Sequence, residues 1–375
     1  MATAPAISPR RILVRGVNWL GDAVMTTPAL LRLREKFPDA HIALLTPQKL
    51  GDLWLHHPAV DEIIPFAPGE GVFAIGKKLR VGKFDLAFVL PNSPRSALEV
   101  FLAGIPQRIG YARPWRNFFL TRAIPSRPDI VVMCKRSPAE IKNLIASPPT
   151  SVPVIPSASH HLHDYLHLVA TLGANPEPLP PQIAITPEEV SAAAKKFGLD
   201  QIISPIFGLN PGAEYGPAKR WPVEKFITAA KEIQIRTNCA WILFGGKGDV
   251  ELATRIAQEF TQHGIRSTCF NLAGQTTLRE LMAVLKLCRV LLTNDTGPMH
   301  VAAALGVPVV VPFGSTSPEL TGPGLPGDPR HHLIKSTVPC SPCFLRECPI
   351  DFRCMNGIST ESVVQAVLSV INSKV

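Results

Sequence analysis

The sequence predicts an α/β fold made of two Rossmann-like, doubly wound units in tandem. Three observations lead there. Short, continuously apolar runs alternate with segments of helical period, which is the pattern of a parallel sheet covered on both faces. The chain has 375 residues, enough for two domains of ordinary size. A proline-dense stretch near the middle separates two such alternating regions.

The elements follow in order. Arg11–Arg15 is a short apolar strand, and Ala23–Phe37 has helical spacing with Leu30, Leu31, Leu33 and Phe37 among its apolar positions. His41–Thr46 and Phe84–Leu90 are further strands of the first domain, which is bounded at 1–185. Residues 124–159 carry Pro125, Pro128, Pro138, Pro148, Pro149, Pro153 and Pro156, and so read as a long loop. A helix over His160–Leu172 follows. Its His160, His161, His163 and His167 read as a solvated face in preference to a metal site.

The second domain, 186–358, repeats the pattern. Pro205–Asn210, Cys239–Phe244, Val290–Thr293 and Val307–Pro312 are strands. Val223–Arg236, Val250–His263, Leu278–Leu287 and Met299–Leu305 are the helices between them. The tail, 359–375, holds an amphipathic helix over Thr360–Asn372, able to pack back on the first domain. In doubly wound sheets, ligands bind at the carboxyl ends of the strands.

Composition narrows the function. Hydrophobic residues make up 46% and charged residues 18%, which excludes a disordered or fibrous chain. No apolar run approaches the length of a membrane span. Met1–Arg11 lacks an apolar signal segment, so a cytoplasmic location is expected. Lys and Arg total 38 against 29 Asp and Glu, a net charge of +9. The excess gathers at Arg95, Arg108, Arg113, Arg116, Arg122, Arg127, Lys135 and Arg136, opposed only by Glu99 and Asp129 within that stretch. Such a surplus suits an anionic partner or is simply a solvated basic face. Nucleic acid is disfavoured, since no recognised motif is present and aromatics are only 7%.

Three strand-to-helix turns carry the chemistry. Gly16-Val-Asn-Trp-Leu-Gly21-Asp22 has neither P-loop nor G-x-G-x-x-G spacing. Its Asp22 is open to two roles, an N-cap or a general base at the sheet edge, and capping would weaken the base. Asn210-Pro-Gly-Ala-Glu-Tyr-Gly-Pro-Ala-Lys219-Arg220-Trp221-Pro222 is a shaped loop before a helix with Pro222 at its first position. Lys219 beside that helix start makes an anion site, or else is a solvated lysine. Thr293-Asn-Asp295-Thr296-Gly297-Pro298-Met299-His300 opens another helix and suits a second phosphate, with Asp295 either accepting from sugar hydroxyls or shaping an Asx-turn. Two phosphate turns in one unit point to a nucleotide diphosphate.

These stretches, with Gly21-Asp22-Ala-Val-Met-Thr-Thr-Pro-Ala-Leu30, Leu90-Pro-Asn-Ser93 and Asn271-Leu-Ala-Gly274, resemble the ADP-heptose:lipopolysaccharide heptosyltransferases, glycosyltransferase family 9. The likeness runs from Ile12 to about Gly314. Pro211-Gly-Ala-Glu-Tyr-Gly-Pro-Ala-Lys-Arg-Trp-Pro222 is its most specific part and favours the type II enzymes. The resemblance implies a GT-B fold, with the two domains facing each other across a cleft. It implies inverting transfer of L-glycero-D-manno-heptose from ADP-heptose to a heptose of the lipopolysaccharide inner core. Another acceptor (types I and III) or a sugar-nucleotide epimerase is the alternative.

By the same resemblance Asp22 is the base and Lys219 neutralises the leaving diphosphate. Thr296 and Gly297 donate N–H groups to it, Asp295 holds heptose hydroxyls, and Thr276 lies near the adenine. Gly212, Glu214, Tyr215 and His300 complete the donor side; Asn18, Gly21, Asn92, Arg95 and Arg113 form the acceptor side. No catalytic metal is implied. The acidic glycolipid acceptor implies peripheral association with the anionic inner face of the inner membrane. One feature departs from the enterobacterial pattern. Cys340, Cys343, Cys348 and Cys354, in a Cys-rich segment 340–354, have a spacing that suits a structural zinc site. Free thiols, a disulfide or an iron–sulfur cluster are the other readings.

Overall fold

The first sheet grows from the apolar runs in chain order. β1 (Arg11–Arg15) leads to α1 (Leu20–Lys36), β2 (His41–Pro47), β3 (Glu62–Phe66), α2 (Val72–Arg80), β4 (Leu86–Val89), α3 (Pro94–Leu102), β5 (Gln107–Tyr111) and β6 (Arg122–Ile124). The six strands form one sheet in the order β3-β2-β1-β4-β5-β6, every neighbouring pair parallel. Leu13 lies opposite Ala43 on one side and Ala87 on the other. The computed structural model describes residues 8–128, 130–149, 155–262 and 268–372.

The chain then crosses between units. α4 (Pro138–Ala146) belongs to the second unit and α5 (Leu162–Ala170) to the first. The second sheet follows: α6 (Pro187–Lys196), β7 (Ile206–Asn210), α7 (Val223–Thr237), β8 (Ala240–Leu243), α8 (Val250–Gln262), β9 (Cys269–Asn271), α9 (Leu278–Leu287), β10 (Val290–Thr293), α10 (Gly297–Ala304), β11 (Val309–Phe313), α11 (Pro318–Thr321) and β12 (His332–Lys335), with α12 (Arg353–Asn356) and α13 (Thr360–Asn372) closing the chain. Its order is β12-β11-β10-β7-β8-β9, again all parallel. Both sheets thus reverse direction beside their first strand, between β1 and β4 and between β7 and β10. Those are the switch points where doubly wound sheets take ligands.

Unit boundaries differ from the expected 185/186 division. One unit comprises Met1–Ile130 with His161–Ala184, the other Val131–His160 with Ile185–Val375. The proline-rich stretch is therefore an excursion into the second unit, and it is not all loop. Pro138 occupies the first turn of α4, where its missing N–H costs nothing, and Ser137 and Glu140 form a reciprocal capping box. Residues 150–154 of that stretch, Asp129 and His263 lie outside the described residues.

The C-terminal helix also departs from expectation. α13 buries Val363, Val364, Val367 and Val370 in a cluster with Phe226, Ile233 and Val290, so it is part of the second unit's core. Each such burial contributes about 1.5 kcal/mol or more. The four histidines are not a solvated face. α5 starts at Leu162, His160 is buried with its Nε2 3.0 Å from the Gly322 carbonyl, and His167 Nδ1 lies 3.0 Å from the Tyr111 hydroxyl.

α1 carries Pro28 in its interior, which removes the hydrogen bond that the Val24 carbonyl would accept. Thr27 compensates by donating its hydroxyl to that carbonyl at 2.9 Å. The Thr27 hydroxyl oxygen in turn accepts from the Gln182 amide at 3.0 Å, tying the helix to the chain's return. No described helix is long and apolar enough to cross a membrane.

Candidate active site

In the second unit, strand ends and loops are stitched together at the switch point. Asn210, the last residue of β7, donates its side-chain amide to Thr293 Oγ1 at the end of β10, 3.0 Å away. Asn294 then grips the long loop at both ends: its Oδ1 accepts from the Trp221 amide at 2.9 Å and its Nδ2 donates to the Pro211 carbonyl at 2.7 Å. All five residues are buried, where a satisfied polar network fixes one geometry.

That clamp brings Lys219 to Asp295. The ammonium is 2.6 Å from Asp295 Oδ2, and both side chains are largely buried. Thr316, in the turn after β11, donates its hydroxyl to the same oxygen at 2.6 Å. The Lys219 ammonium also lies 5.0 Å from the Tyr215 ring centre, whose other cation neighbour is Arg346 at 5.1 Å. Thr296 is the N-cap residue of α10 and Gly297 its first residue, so the positive end of the helix dipole lies beside this ion pair. Pro298, inside the first turn, withholds one N–H. Pro222 is the N-cap of α7 and not its first helical residue.

The Asn210–Pro222 loop is seated by the segment after β12. Tyr215 donates its hydroxyl to the Phe344 carbonyl at 2.8 Å, and the Ala218 amide donates to the Arg346 carbonyl at 3.0 Å. Gly216 makes that approach feasible, because a Cβ there would sit 2.5 Å from the Arg346 oxygen. Gly212 is equally constrained, with the Asp249 carboxylate about 2.4 Å from where its Cβ would be. Glu214 is exposed on this loop.

His300 lies one turn into α10, close enough to Asp295 and Lys219 for their charges to act on it. It is buried within α10, and burial above all pushes its imidazole down to about 4, with Asp295 opposing and Lys219 and His331 adding to the drop. It is a neutral imidazole at neutral pH. Thr276 precedes the N-cap of α9 at the carboxyl edge of β9, two strands from β7.

In the first unit, Arg15 is buried and paired with buried Glu99 at 2.8 Å, which fastens α3 to the end of β1. The same guanidinium donates to the Gly16 carbonyl at 2.5 Å and to Asn18 Oδ1 at 3.0 Å. Its contacts set the shape of the turn leading to Asp22. Trp19, not Asp22, is the N-cap of α1; Gly21 and Asp22 are the second and third helical residues. Asp22 is part-exposed in the first turn, and its charge adds to burial in raising the Tyr165 phenol well above its ordinary pKa. A protonated phenol on α5 is thus within electrostatic reach of the proposed base.

The other residues expected on the acceptor side, Asn92, Arg95 and Arg113, are at the carboxyl edge of β4 and β5. Asn92 is exposed and accepts from Arg116 Nη1 at 3.2 Å. Arg95 pairs with Glu99 at 3.1 Å and donates to the Glu70 carbonyl. Arg113 donates to the Ala112 carbonyl and to Ser126 Oγ, both at 2.8 Å. The basic stretch is mostly committed inside the protein. Arg108 donates to the Ile105 and Phe119 carbonyls, Arg122 to the Thr171 carbonyl, Arg127 to Asp164 and Arg136 to the Pro339 carbonyl.

Cys340, Cys343, Cys348 and Cys354 all carry free thiols. Burial first, with neighbouring thiols adding to it, raises Cys340 and Cys343 and pushes Cys354 up to about 12. The four share one neighbourhood, yet among the described residues no group of three or more His, Cys, Asp or Glu is arranged to hold a metal ion.

Sequence reasoning missed Thr316, Tyr165 and Arg346, and named Arg116 only as one of the basic stretch. Each lies on an element other than the turn it serves, and no spacing rule links them. The clamp residue Asn294 stood inside a quoted stretch without a role.

Comparison with known proteins identifies the family. The family described as glycosyltransferase family 9 (heptosyltransferase) matches residues 146–352. The chain is 34% identical over 321 residues to lipopolysaccharide heptosyltransferase 2 of Escherichia coli K12, covering 84% of this chain and 85% of that one. It is 31% identical over 321 residues to lipooligosaccharide heptosyltransferase 2 of Haemophilus influenzae, with 83% and 85% covered. The solved structure of E. coli ADP-heptose lps heptosyltransferase II superposes with a TM-score of 0.75 at 28% identity, over 96% of this chain and 98% of that one. With a family match across more than half of its length and relatives above 30% identity, the chain belongs to glycosyltransferase family 9, the heptosyltransferases.

Proposed function

We propose that the chain transfers L-glycero-D-manno-heptose from ADP-heptose to a heptose of the lipopolysaccharide inner core, as a type II enzyme, with inversion at the anomeric carbon. The observation that carries this is the Lys219–Asp295 pair at the β7/β10 switch point, beside the start of α10. Lys219 takes the diphosphate oxygens, and the amides of Thr296 and Gly297 add their dipoles. Asp295, oriented by Thr316, accepts from heptose hydroxyls. Gly212, Glu214 and Tyr215 shape the donor loop, and Thr276 stands where the adenine extends. Asp22 takes the proton of the acceptor hydroxyl as its oxygen bonds to the anomeric carbon. The bond to the diphosphate breaks on the opposite face, and ADP leaves with the electron pair.

No step in this scheme calls on a metal. Lys219 and the helix start supply the positive charge that a transition state with a departing diphosphate requires. The cysteine quartet is a separate proposal, a structural zinc. Its support is the shared neighbourhood of the four thiols and their place next to Phe344 and Arg346, which seat the Lys219 loop. Binding would require side-chain rotation and loss of the thiol protons. Elemental analysis of protein purified under reducing conditions tests it, and a folded, metal-free sample rejects it.

Cytoplasmic residence with peripheral membrane association is proposed as well. Trp115 and Phe118, 89% and 82% exposed beside the basic stretch, support it. Sedimentation with anionic vesicles should fall as salt rises. The main test is incubation with ADP-heptose and a heptose-primed core acceptor. Asp22→Asn should lose about 10²–10⁴ in rate with its fold intact, the range for removing a general base. Transfer to an unprimed core, or wild-type rates in Asp22→Asn, overturns the scheme.

A further inference from the structure

Arg116 has no exposed surface, yet only part of its guanidinium is satisfied. Nη1 donates to Asn92 Oδ1 at 3.2 Å; Nε and Nη2 have no partner among the described residues. These two orphaned donors lie on one edge of the guanidinium, the edge that grips two oxygens of a carboxylate or phosphate side by side. The burial is built into the fold. Gly110 on β5 leaves the space, since a Cβ there would be 2.9 Å from Nη2. Burial first, and Arg113 second, pull the pKa down to about 10, so the group is still a cation at neutral pH. A buried charge without a counter-ion is strongly unfavourable and is kept where a partner arrives to meet it.

The location fits a ligand. Asn92 follows β4 and Gly110 lies on β5, beside the β1/β4 switch point. Asn92 is exposed, and it is the residue to which the buried guanidinium donates. We propose that Arg116, with Asn92 over it and Arg113 beside it, is an oxyanion subsite that binds a carboxylate or phosphate group of the acceptor. Only the identity of the molecule bearing that group rests on the function proposed above.

The test uses the full chain carrying Lys219→Ala, which removes the competing donor-phosphate contact. Thermal unfolding is followed against potassium phosphate and against potassium acetate, with chloride at matched ionic strength. At least one oxyanion should raise the melting temperature, and the anion that does so identifies the source. Adding Arg116→Gln should abolish the shift. Adding Asn92→Asp, at an exposed position that spares the fold, should raise the starting stability and weaken the response about tenfold, because the new carboxylate neutralises the guanidinium. In the otherwise native enzyme, both substitutions should raise the acceptor KM about tenfold or more with kcat little changed, the loss expected of one charge-assisted contact. No shift with either anion, or equal shifts in all variants, overturns the subsite. An unchanged acceptor KM in Asn92→Asp does so too. Arg116-dependent shifts in a protein that transfers no heptose would leave the subsite standing and reject the transferase reading instead.

Discussion

Lys219 can serve in two ways: it can neutralise a departing diphosphate, or it can merely keep Asp295 from being a lone buried charge. The substitutions Lys219→Ala and Asp295→Asn, alone and together, separate these roles. Removing one partner of a buried pair costs about 3–5 kcal/mol. The low end applies here, because Thr316 still donates to Asp295 at 2.6 Å and a stranded carboxyl can take up a proton. About 3 kcal/mol corresponds to a fall of about 6–12 °C in the melting temperature of a unit this size. Asp295→Asn alone should cost less, since Lys219 is the more exposed partner and can turn its ammonium to water. The double variant should recover most of the stability lost in Lys219→Ala, as a neutral amide can still accept from Thr316. Its transfer rate should not recover. Removing one preorganised charge donor at a leaving group costs about 10²–10³ in kcat, and that loss should persist in the pair. Thermal unfolding and single-turnover rates on the same preparations read both quantities. A double variant that regains a tenth or more of native activity would show that Lys219 acts only through Asp295.

The contacts around the turn, and the buried histidines, set further outcomes. Thr316→Val should weaken donor binding and slow transfer by about tenfold together, the worth of one hydrogen bond to a charged group, seen in donor KM and kcat. Gly216→Ala pushes a methyl against the Arg346 carbonyl and should lower donor affinity more than stability; an isothermal titration with ADP unchanged from the native protein would contradict this. His57, His300 and His331 are each held down to about 4, by burial above all. Between pH 6.5 and about 4 the unfolded chain therefore binds protons that the folded chain does not. Stability should fall through that window by a few kcal/mol and stay level above it, as read from urea midpoints.

Much of this was legible in the sequence because the fold announces itself locally. β4 is apolar throughout and β10 is apolar up to Thr293, and a fully buried parallel strand needs little more. β3 was not legible, since Glu62–Phe66 includes Pro65 and is only half-buried at the sheet edge, where proline is tolerated. β5 escaped because Gln107, Arg108 and Gly110 mask its apolar positions. α4 was hidden by the rule that dense proline breaks helices, which fails where proline takes the first turn. The turns were found because glycine, proline and a charged residue cluster after a strand. Their partners were not: Thr316 reaches Asp295 from the next strand's turn, and Arg346 reaches Tyr215 from beyond β12. Such contacts arise from strand order, and strand order is not written in any one segment.

The two sheets share a topology but use their switch points in opposite senses. After β1 the turn is short, and buried Arg15 holds its backbone and Asn18 while a carboxylate enters the first turn of α1. After β7 the turn is long, clamped by Asn294, and it ends with an ammonium group against a carboxylate. In both units a buried polar residue from a neighbouring position fixes the turn, leaving the charged group at the edge to be defined by its surroundings. Substituting the clamp should therefore mimic substituting the charge. Asn294→Ala, which orphans the Trp221 amide and the Pro211 carbonyl, should lower transfer nearly as far as Lys219→Ala while leaving Lys219 itself in place. If Asn294→Ala kept native rates, the ammonium would be positioned by some other contact, and the clamp would have no part in catalysis.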